Sequence, residues 1–159
     1  MFHSPLPIIV IGLTFVAAVF AVWKGDRAAR IAGAVNLLNS FALLVFAALT
    51  GNAQIGEVLE LVGDLAWAIG LLMLVVRYAS LWLGVTMLLQ SVQFSLHAYY
   101  LVLERPHDLI HAWVNNLNAV GISICITIGT IQAIRRRMAD AQEAADLEAR
   151  RNRVALAAV

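Results

Sequence analysis

The chain has 159 residues, of which 62% are hydrophobic and 13% are charged, and its mean hydropathy is +0.83. Soluble domains carry roughly 25% charged residues, so this composition excludes an ordinary water-soluble domain and predicts an integral membrane protein. The net charge of +1 gives no indication of nucleic-acid binding. Apolar stretches take up nearly the whole length, and we therefore expect a single membrane domain.

Five of these stretches are long enough to cross a bilayer, because a hydrocarbon core of about 30 Å needs about 20 helical residues. The predicted spans are 6–23, 29–49, 58–76, 80–103 and 109–134. The sequence thus predicts an all-α bundle of five transmembrane helices within residues 1–137. A rival interpretation has four spans, with the first helix in the membrane interface or the start of the third merged into a loop.

The first span follows Pro5 and Pro7 and precedes a charged turn at 24–27. A secretory signal peptide carries its positive charge before the apolar run, whereas here the charge comes after it. We therefore expect the first helix to be retained, with the N-terminus outside.

Basic residues fall almost entirely on one side of the bilayer when the spans are threaded through it, and Arg105 alone lies on the other side. The ten others are Lys24, Arg27, Arg30, Arg77, Arg135, Arg136, Arg137, Arg150, Arg151 and Arg153. By the positive-inside rule they mark the cytoplasmic side, which places the C-terminus inside and indicates a bacterial-type inner membrane. Lipid headgroups of negative charge are the partner expected for this basic surface.

Residues 138–159 are predicted to form a cytoplasmic helical tail. The segment is rich in alanine and in charges of both signs, and it lacks the broad apolar face of a helix that lies on a membrane. A solvated extension of the fifth span is our main interpretation. A docking surface for a cytoplasmic partner is the alternative.

Polar side chains recur along one face of four of the predicted spans. These polar faces comprise Asn36, Asn39 and Ser40 in the second span, Glu57, Glu60, Asp64 and Trp67 in the third, Gln90, Gln93, His97 and Tyr100 in the fourth, and His111, Asn115 and Asn118 in the fifth. Residues three, four and seven apart share a helix face. Because ionisable side chains in hydrocarbon cost on the order of 2 to 3 kcal/mol each, we expect the four faces to converge on the interior.

Counting the helical rise from the outer end of each span places Asp64 and His97 at a depth of about 10 Å and the deepest amides near the midplane. This geometry predicts a polar pocket that opens to the periplasmic side and narrows to a belt of amides. Its lining is predicted to be Glu60, Asp64, Gln90, Gln93, His97, His111, Asn115, Asn118 and Asn39. The cytoplasmic half below it is mostly apolar, so no continuous water path across the membrane is evident.

Asp64 is the most informative of these residues, because a buried carboxylate must be paired, protonated or functional. We expect His97 to be its hydrogen-bond partner, and the same pair would make a proton-accepting site. The amides have a structural explanation, since interhelical hydrogen bonds between them contribute about 0.6 to 2 kcal/mol each. Small residues at Gly121, Cys125 and Gly129 predict a helix-packing face, with Cys125 as an interface residue rather than a nucleophile.

Two cofactor hypotheses rest on the histidines. His107, Asp108 and His111 form an H-D-x-x-H pattern, which sets two imidazoles on one helix face as a zinc site requires. The pattern departs from H-E-x-x-H, and a third ligand would have to come from His97, Glu104 or Glu60 on other parts of the chain. Haem b between His97 and His111 is the other hypothesis. Neither is favoured, and the cofactor stays unknown.

These features are compatible with three classes of function. We rank first a small polytopic subunit or scaffold of a membrane complex, assembled with other membrane proteins or with copies of itself, because the chain has short loops and no recognisable catalytic motif. A proton or ion channel or transporter component using Asp64 and His97 comes second. A haem- or metal-binding membrane protein comes third, and an enzyme is not favoured.

Overall fold

The structure is a computed structural model that describes residues 6–50, 53–106 and 108–157. Within these ranges the chain forms five helices and no strand. The helices are α1 (Leu6–Lys24), α2 (Arg27–Thr50), α3 (Ala53–Tyr78), α4 (Leu81–Val102) and α5 (Leu109–Ala157). The predicted all-α class and the predicted number of helices are confirmed for the part of the chain that the structure describes.

Two helical segments of the described ranges are long and apolar enough to cross a membrane, Ile55–Tyr78 in α3 and Leu109–Arg153 in α5. Ile8–Lys24 in α1 is a shorter apolar helix. These segments support membrane association in general. In α4, the polar residues Gln90 and Gln93 lower the hydropathy of the helix, although both are buried in the bundle.

Each helix packs against the next one along the chain, and α1 also packs against α5, which closes the bundle into a ring. The connections after α1 and α3 are only two residues long, Gly25–Asp26 and Ala79–Ser80. Such short connections make consecutive helices antiparallel. As a result α1 and α5 run side by side in the same direction, and α2 reaches α5 across the bundle.

Local chemistry explains where α2 and α5 begin. Asp26 precedes α2 and its Oδ1 accepts the backbone N–H of Ala29 at 2.9 Å, while Asp108 precedes α5 and its Oδ1 accepts the N–H of His111 at 2.9 Å. Both aspartates therefore satisfy an amide that the first turn of a helix leaves unpaired. Helix α5 begins directly after Asp108, has 49 residues and ends at Ala157. It therefore includes the described part of the predicted tail, whose cytoplasmic location stays a prediction.

The end of the bundle near the α1–α2 and α3–α4 turns, called the apolar half below, is held by apolar packing. Its buried core consists of Ala21, Ala28, Ala29, Ala32, Trp67, Leu71, Leu74, Trp82, Leu83, Ile122 and Ile126. A Cβ atom added at Gly33 of α2 would lie 2.8 Å from the carbonyl oxygen of Ala18 in α1. Small residues thus allow the helix backbones to approach closely.

The outer surface of the bundle is apolar, although apolar side chains also form much of its interior. Large apolar side chains are exposed on every helix, for example Ile8 at 76%, Phe41 at 66%, Val76 at 78%, Leu88 at 62% and Leu117 at 72%. The buried polar residues are Asn36, Asp64, Thr86, Gln90, Gln93, His111, Asn118, Ser123 and Thr130. A soluble bundle places its apolar residues inside, so this arrangement is typical of an apolar surrounding medium.

Candidate functional site

Polar side chains from α3, α4 and α5 meet in the end of the bundle near the α4–α5 connection, called the polar half below. They form one hydrogen-bonded group, the polar cluster, which consists of Asp64, Gln90, Gln93, His97, Asn115 and Asn118. The structure therefore brings together six of the nine residues that the sequence predicts to line a pocket. The helix periodicity of each polar face explains why these residues point to one interior space.

Asp64 is the anchor of the polar cluster, because α4 engages both of its carboxylate oxygens. Oδ1 accepts a hydrogen bond from Nε2 of Gln90 at 2.9 Å, and Oδ2 lies 2.6 Å from Nδ1 of His97. The side chains of Asp64 and His97 are only 8% and 10% exposed. These contacts join α3 to α4 and supply the partners that a buried carboxylate requires.

His97 faces a second carboxylate on its other side. Its Nε2 atom lies 4.0 Å from Oε2 of Glu60, whose side chain is 40% exposed. Glu60 stands one helical turn from Asp64 on the same face of α3, and the imidazole lies between the two. His97 thus connects a buried carboxylate to one that reaches the surface.

Amide side chains continue the polar cluster from His97 to α5. The Gln93 amide nitrogen lies 3.3 Å from Nε2 of His97 and donates to Oδ1 of Asn115. Asn118 donates from Nδ2 to Oε1 of Gln93 at 3.0 Å and to the backbone carbonyl of Leu89 at 2.7 Å. If Nδ1 of His97 carries the proton that faces Asp64, then Nε2 is free to accept from Gln93, and all of these contacts are satisfied at once.

His111 lies beside the polar cluster, toward the outer end of α4. Its ring centroid is 5.4 Å from that of His97 and 4.7 Å from that of Tyr100, which it meets edge to face. The Tyr100 hydroxyl donates to Oδ1 of Asp108 at 2.6 Å, which ties the end of α4 to the start of α5. The hydrogen bond from Tyr100, followed by those from the backbone of His111 and Ile110, lowers the pKa of the Asp108 carboxyl below its ordinary value.

Asn39 of α2 packs against the backbone of α3 next to Asp64, because a Cβ atom at Gly63 would lie 2.6 Å from its Oδ1. The antiparallel register set by this contact brings Asn36 to the level of Trp67, one turn closer to the apolar half. The Nδ2 atom of Asn36 and the Nε1 atom of Trp67 are both buried and have no hydrogen-bond partner among the described residues. The polar interior therefore extends one turn beyond Asp64.

The predicted metal site is only partly within the described residues, since His107 lies outside them. The carboxylate of Asp108 caps α5 and accepts from Tyr100. In the described part of the chain no group of three or more His, Cys, Asp or Glu side chains could hold a metal ion. A haem plane between His97 and His111 would require the two rings, now 5.4 Å apart, to separate, and haem binding stays a prediction.

The small residues of α5 lie against α4. A Cβ atom at Gly121 would be 2.9 Å from Cδ1 of Leu89, and a Cβ atom at Gly129 would overlap the indole of Trp82. Cys125, which lies between the two glycines on the same face, is buried. This face of α5 therefore serves close helix contact along both halves of the bundle.

Some contacts at the ends of the bundle have no signal in the sequence. Arg137 of α5 donates to the carbonyl of Gly25 across 112 residues of chain, and no local pattern predicts such a pairing. The capping role of Asp108 does have a signal, because an aspartate directly before an apolar helical run is typical of a helix start.

These features define an all-helical bundle in which two of the described helices are long and apolar enough to cross a membrane. Comparison with known proteins finds no family, no curated relative and no solved structure that matches the chain. Since a helical bundle hosts many unrelated activities, function is inferred from the residues of the site.

Proposed function

We propose that the chain is a five-span integral protein of a bacterial-type inner membrane, with its N-terminus outside and its C-terminus in the cytoplasm, and that it serves as a subunit or scaffold of a membrane complex. The observation that supports this proposal is the apolar outer surface of the bundle, together with the polar side chains that pair in its interior. Hydrocarbon around the bundle explains both, since it solvates apolar side chains and drives polar ones to pair internally.

The helices α1, α2 and α4 are long enough to span as well. They have 19, 24 and 22 residues, which corresponds to about 30 Å or more at 1.5 Å per residue. In α4 the amides of Gln90 and Gln93 are buried, so lipid would meet a mainly apolar face that includes the exposed Ser91 and Ser95. The hydropathy of the whole helix therefore understates the hydropathy of its outer surface.

Basic residues support the proposed orientation, because they lie at the two ends of the bundle. Lys24, Arg30, Arg77 and Arg137 belong to the end with the α1–α2 and α3–α4 turns, whereas Arg105 lies at the other end. By the positive-inside rule the apolar half faces the cytoplasm, and the polar half faces the periplasm.

A subunit role is supported by the outer face of α4. Ser91 and Ser95 are exposed there, and they line a shallow groove with Leu88 and Tyr99. Each serine hydroxyl donates to a carbonyl of its own helix, Met87 at 2.9 Å and Ser91 at 2.8 Å. The serine side chains are short and their hydroxyls already have acceptors in α4, so a helix of a membrane partner can approach this face closely.

Topology is tested by single cysteines, because the only native one, Cys125, is buried and can first be replaced by alanine. An impermeant maleimide should label Leu103→Cys in intact cells, and Ser80→Cys and Met138→Cys only after permeabilisation. Labelling of Ser80→Cys from outside would refute the five-span topology. Release of the protein by alkaline carbonate would refute membrane integration altogether.

The subunit role is tested by the native mass of the particle extracted from its own cells in mild detergent. Other membrane polypeptides in stoichiometric amounts, retained by the native chain, would support it. Their loss in Ser91→Leu, with Ser80→Leu as a control at the end of the helix, would assign the contact to the outer face of α4. A monomer without other polypeptides would refute the subunit role and leave the topology standing.

Proton handling is the second candidate, and a specific geometry favours it. The imidazole of His97 lies 2.6 Å from buried Asp64 and 4.0 Å from Glu60, which is 40% exposed. An imidazole takes up a proton on one nitrogen and releases one from the other, so His97 is able to carry protons between the two carboxylates. In this function Glu60 is the entry group and Asp64 is the buried acceptor.

Infrared difference spectroscopy after a pH jump tests this candidate on the purified protein. A carbonyl band of a protonated carboxyl should change after the jump and should be absent from Asp64→Asn. Glu60→Gln should slow its appearance, whereas Glu57→Gln, one turn further out on α3, should not. A band that is unchanged by pH and by Asp64→Asn would leave the His97–Asp64 pair a purely structural contact.

A further inference from the structure

Two arginines from distant parts of the chain converge on one backbone atom at the end of the apolar half. The carbonyl oxygen of Gly25 accepts from Nε of Arg30 in α2 at 3.0 Å and from Nη2 of Arg137 in α5 at 2.5 Å. The two donor nitrogens, Nε of Arg30 and Nη2 of Arg137, therefore lie no farther apart than the sum of these two distances. Gly25 itself is buried where α1 meets α2, and a side chain there would overlap Ala21 and Ala29.

The convergence brings two positive charges together, and neither is held in an ion pair among the described residues. Neither Arg30 nor Arg137 forms an ion pair with any carboxylate in the described ranges, where the ion pairs found belong to His97. Both side chains are exposed, and each guanidinium has five N–H donors, of which the Gly25 carbonyl occupies one. The nearest carboxylates in sequence are Asp26 for Arg30 and Asp140 for Arg137. Oδ1 of Asp26 accepts from the start of α2.

The surroundings of this arginine pair add further positive charge and mark a membrane interface. Lys24 lies over the ring of Trp23, 4.2 Å from its centroid, and Trp23 is 70% exposed. Exposed tryptophan and lysine at a helix end are typical of the headgroup level of a bilayer. Arg136 stands next to Arg137 on α5, also exposed, and makes no contact with Gly25 in the described structure.

We propose that Arg30 and Arg137 form a binding site for the phosphate of an anionic phospholipid headgroup. Each guanidinium group is planar and presents pairs of N–H donors, from which phosphate oxygens accept hydrogen bonds. The Gly25 carbonyl holds both groups at the level where headgroup phosphates are concentrated, which favours a lipid over a free phosphate ion. This site rests on the proposed membrane topology and adds to it a specific lipid contact on the cytoplasmic side.

The test is lipid binding to the full chain in mild detergent, measured by native mass spectrometry with phosphatidylglycerol and with phosphatidylcholine. The native protein should retain phosphatidylglycerol in preference. Arg30→Gln and Arg137→Gln should each weaken its binding about fivefold, and the double variant about thirtyfold. The matched control Arg136→Gln removes the same charge next to the site and should change binding by less than about twofold.

Four outcomes would overturn the site. Equal binding of phosphatidylcholine would refute a preference for anionic lipids, and an equal loss in Arg136→Gln would reduce the effect to diffuse surface charge. Release of phosphatidylglycerol by millimolar inorganic phosphate would assign the site to the free ion. Arg30→Lys and Arg137→Lys, which keep the charge and the fold, should bind more weakly than the native protein, and binding as tight as native would refute the role of guanidinium geometry.

Failure of this site is distinguishable from failure of the proposed topology. A protein that stays in the membrane at alkaline pH but binds both lipids alike would lose the site and keep the topology. A protein released at alkaline pH would lose the topology whatever its lipid preference.

Discussion

The polar half and the apolar half use the same helices but are held together by different interactions. In the polar half Asp64, His97 and Gln93 join α3, α4 and α5 through directional hydrogen bonds between side chains. In the apolar half the contacts are made by alanine, leucine and tryptophan, and Gly129 allows Trp82 to lie directly on the backbone of α5.

Under the proposed membrane location, this difference explains how the bundle defines one arrangement of its helices. Lipid tails are as apolar as leucine, so burial of apolar side chains supplies little drive for helix association. Close approach through small residues supplies dispersion energy in the apolar half, and it tolerates small rotations of a helix. The hydrogen bonds of Asp64 do not tolerate such rotations, and they therefore set the register of α3 against α4.

The largest expected effect is that of Asp64→Ala in the polar half. The substitution removes the carboxylate that faces Nε2 of Gln90 and Nδ1 of His97. Gln90 keeps only the 3.4 Å contact with the backbone carbonyl of residue 64, and Nδ1 of His97 is left buried without its acceptor, which should lower the free energy of unfolding by about 3 to 5 kcal/mol. Asp64→Asn keeps the shape and one acceptor oxygen and should lower it less. Unfolding in detergent by added dodecyl sulfate, followed by circular dichroism, measures both.

Thr86→Val is the matched control for Asp64→Ala. Thr86 is also buried in α4, but its hydroxyl donates to Trp82 of the same helix at 2.7 Å. Its loss should therefore lower the free energy of unfolding by less than about 1 kcal/mol. Equal losses in Thr86→Val and Asp64→Ala would contradict the view that hydrogen bonds between helices distinguish the polar half.

The secondary structure and much of the polar cluster could be predicted because they depend on local patterns. Length and apolar composition locate the helices to within a few residues, as with the predicted span 80–103 and α4 (Leu81–Val102). The spacing of Gln90, Gln93 and His97 places them on one helix face wherever the helix packs. We expect that face to turn to the interior because polar side chains exposed to hydrocarbon carry a cost in free energy.

Pairwise contacts between helices could not be predicted, because they depend on how far each helix rotates and slides against its neighbour. The sequence suggests that His97 meets Asp64, but it does not show that Gln90 takes the other carboxylate oxygen. It also gives no sign that Arg137 reaches Gly25 or that Asn36 comes to the level of Trp67. These contacts arise from tertiary packing alone.

In the apolar half the largest effect is expected from Gly129→Ala. The added Cβ atom overlaps the rigid indole of Trp82, so the helices must shift and the free energy of unfolding should fall by about 1 to 3 kcal/mol. Gly121→Ala should have a smaller effect, because its Cβ meets only the flexible end of Leu89 at 2.9 Å. The same dodecyl sulfate titration measures both variants.

Gly84→Ala is the control for these glycine substitutions, since nothing lies within 4 Å of its Cβ position. It should be neutral or stabilise the helix slightly. If Gly129→Ala were also neutral, close approach of α4 and α5 would not be what holds the apolar half.

Acidification should affect the outer end of the polar half through Asp108. Its pKa lies below the ordinary value of 3.8 because the ionised carboxylate accepts hydrogen bonds from Tyr100 and from the start of α5. The stability that it contributes is therefore complete above about pH 4 and is lost as the pH falls through the lowered pKa.

Thermal melting in detergent should show this loss in the native protein. Asp108→Asn, which still caps the helix but does not titrate, should lack that part of the pH dependence. The same acid response in both proteins would assign it to other carboxyl groups.

The smallest expected effect concerns the turns that close each half. Ala79, between α3 and α4, has a φ of 45°, and Glu104, after α4, has a φ of 49°. This left-handed conformation is unfavourable by roughly 1 to 2 kcal/mol for a residue with a Cβ atom, whereas glycine adopts it freely at an entropic cost of about 0.5 to 1 kcal/mol in the unfolded chain. Ala79→Gly and Glu104→Gly should therefore each stabilise the bundle by up to about 1 kcal/mol. Both side chains are exposed, so little packing is lost on either side. A higher free energy of unfolding in both variants would show that the two halves differ in their interiors and not in their connections. A lower free energy of unfolding in Ala79→Gly alone would reveal an additional constraint on the α3–α4 turn.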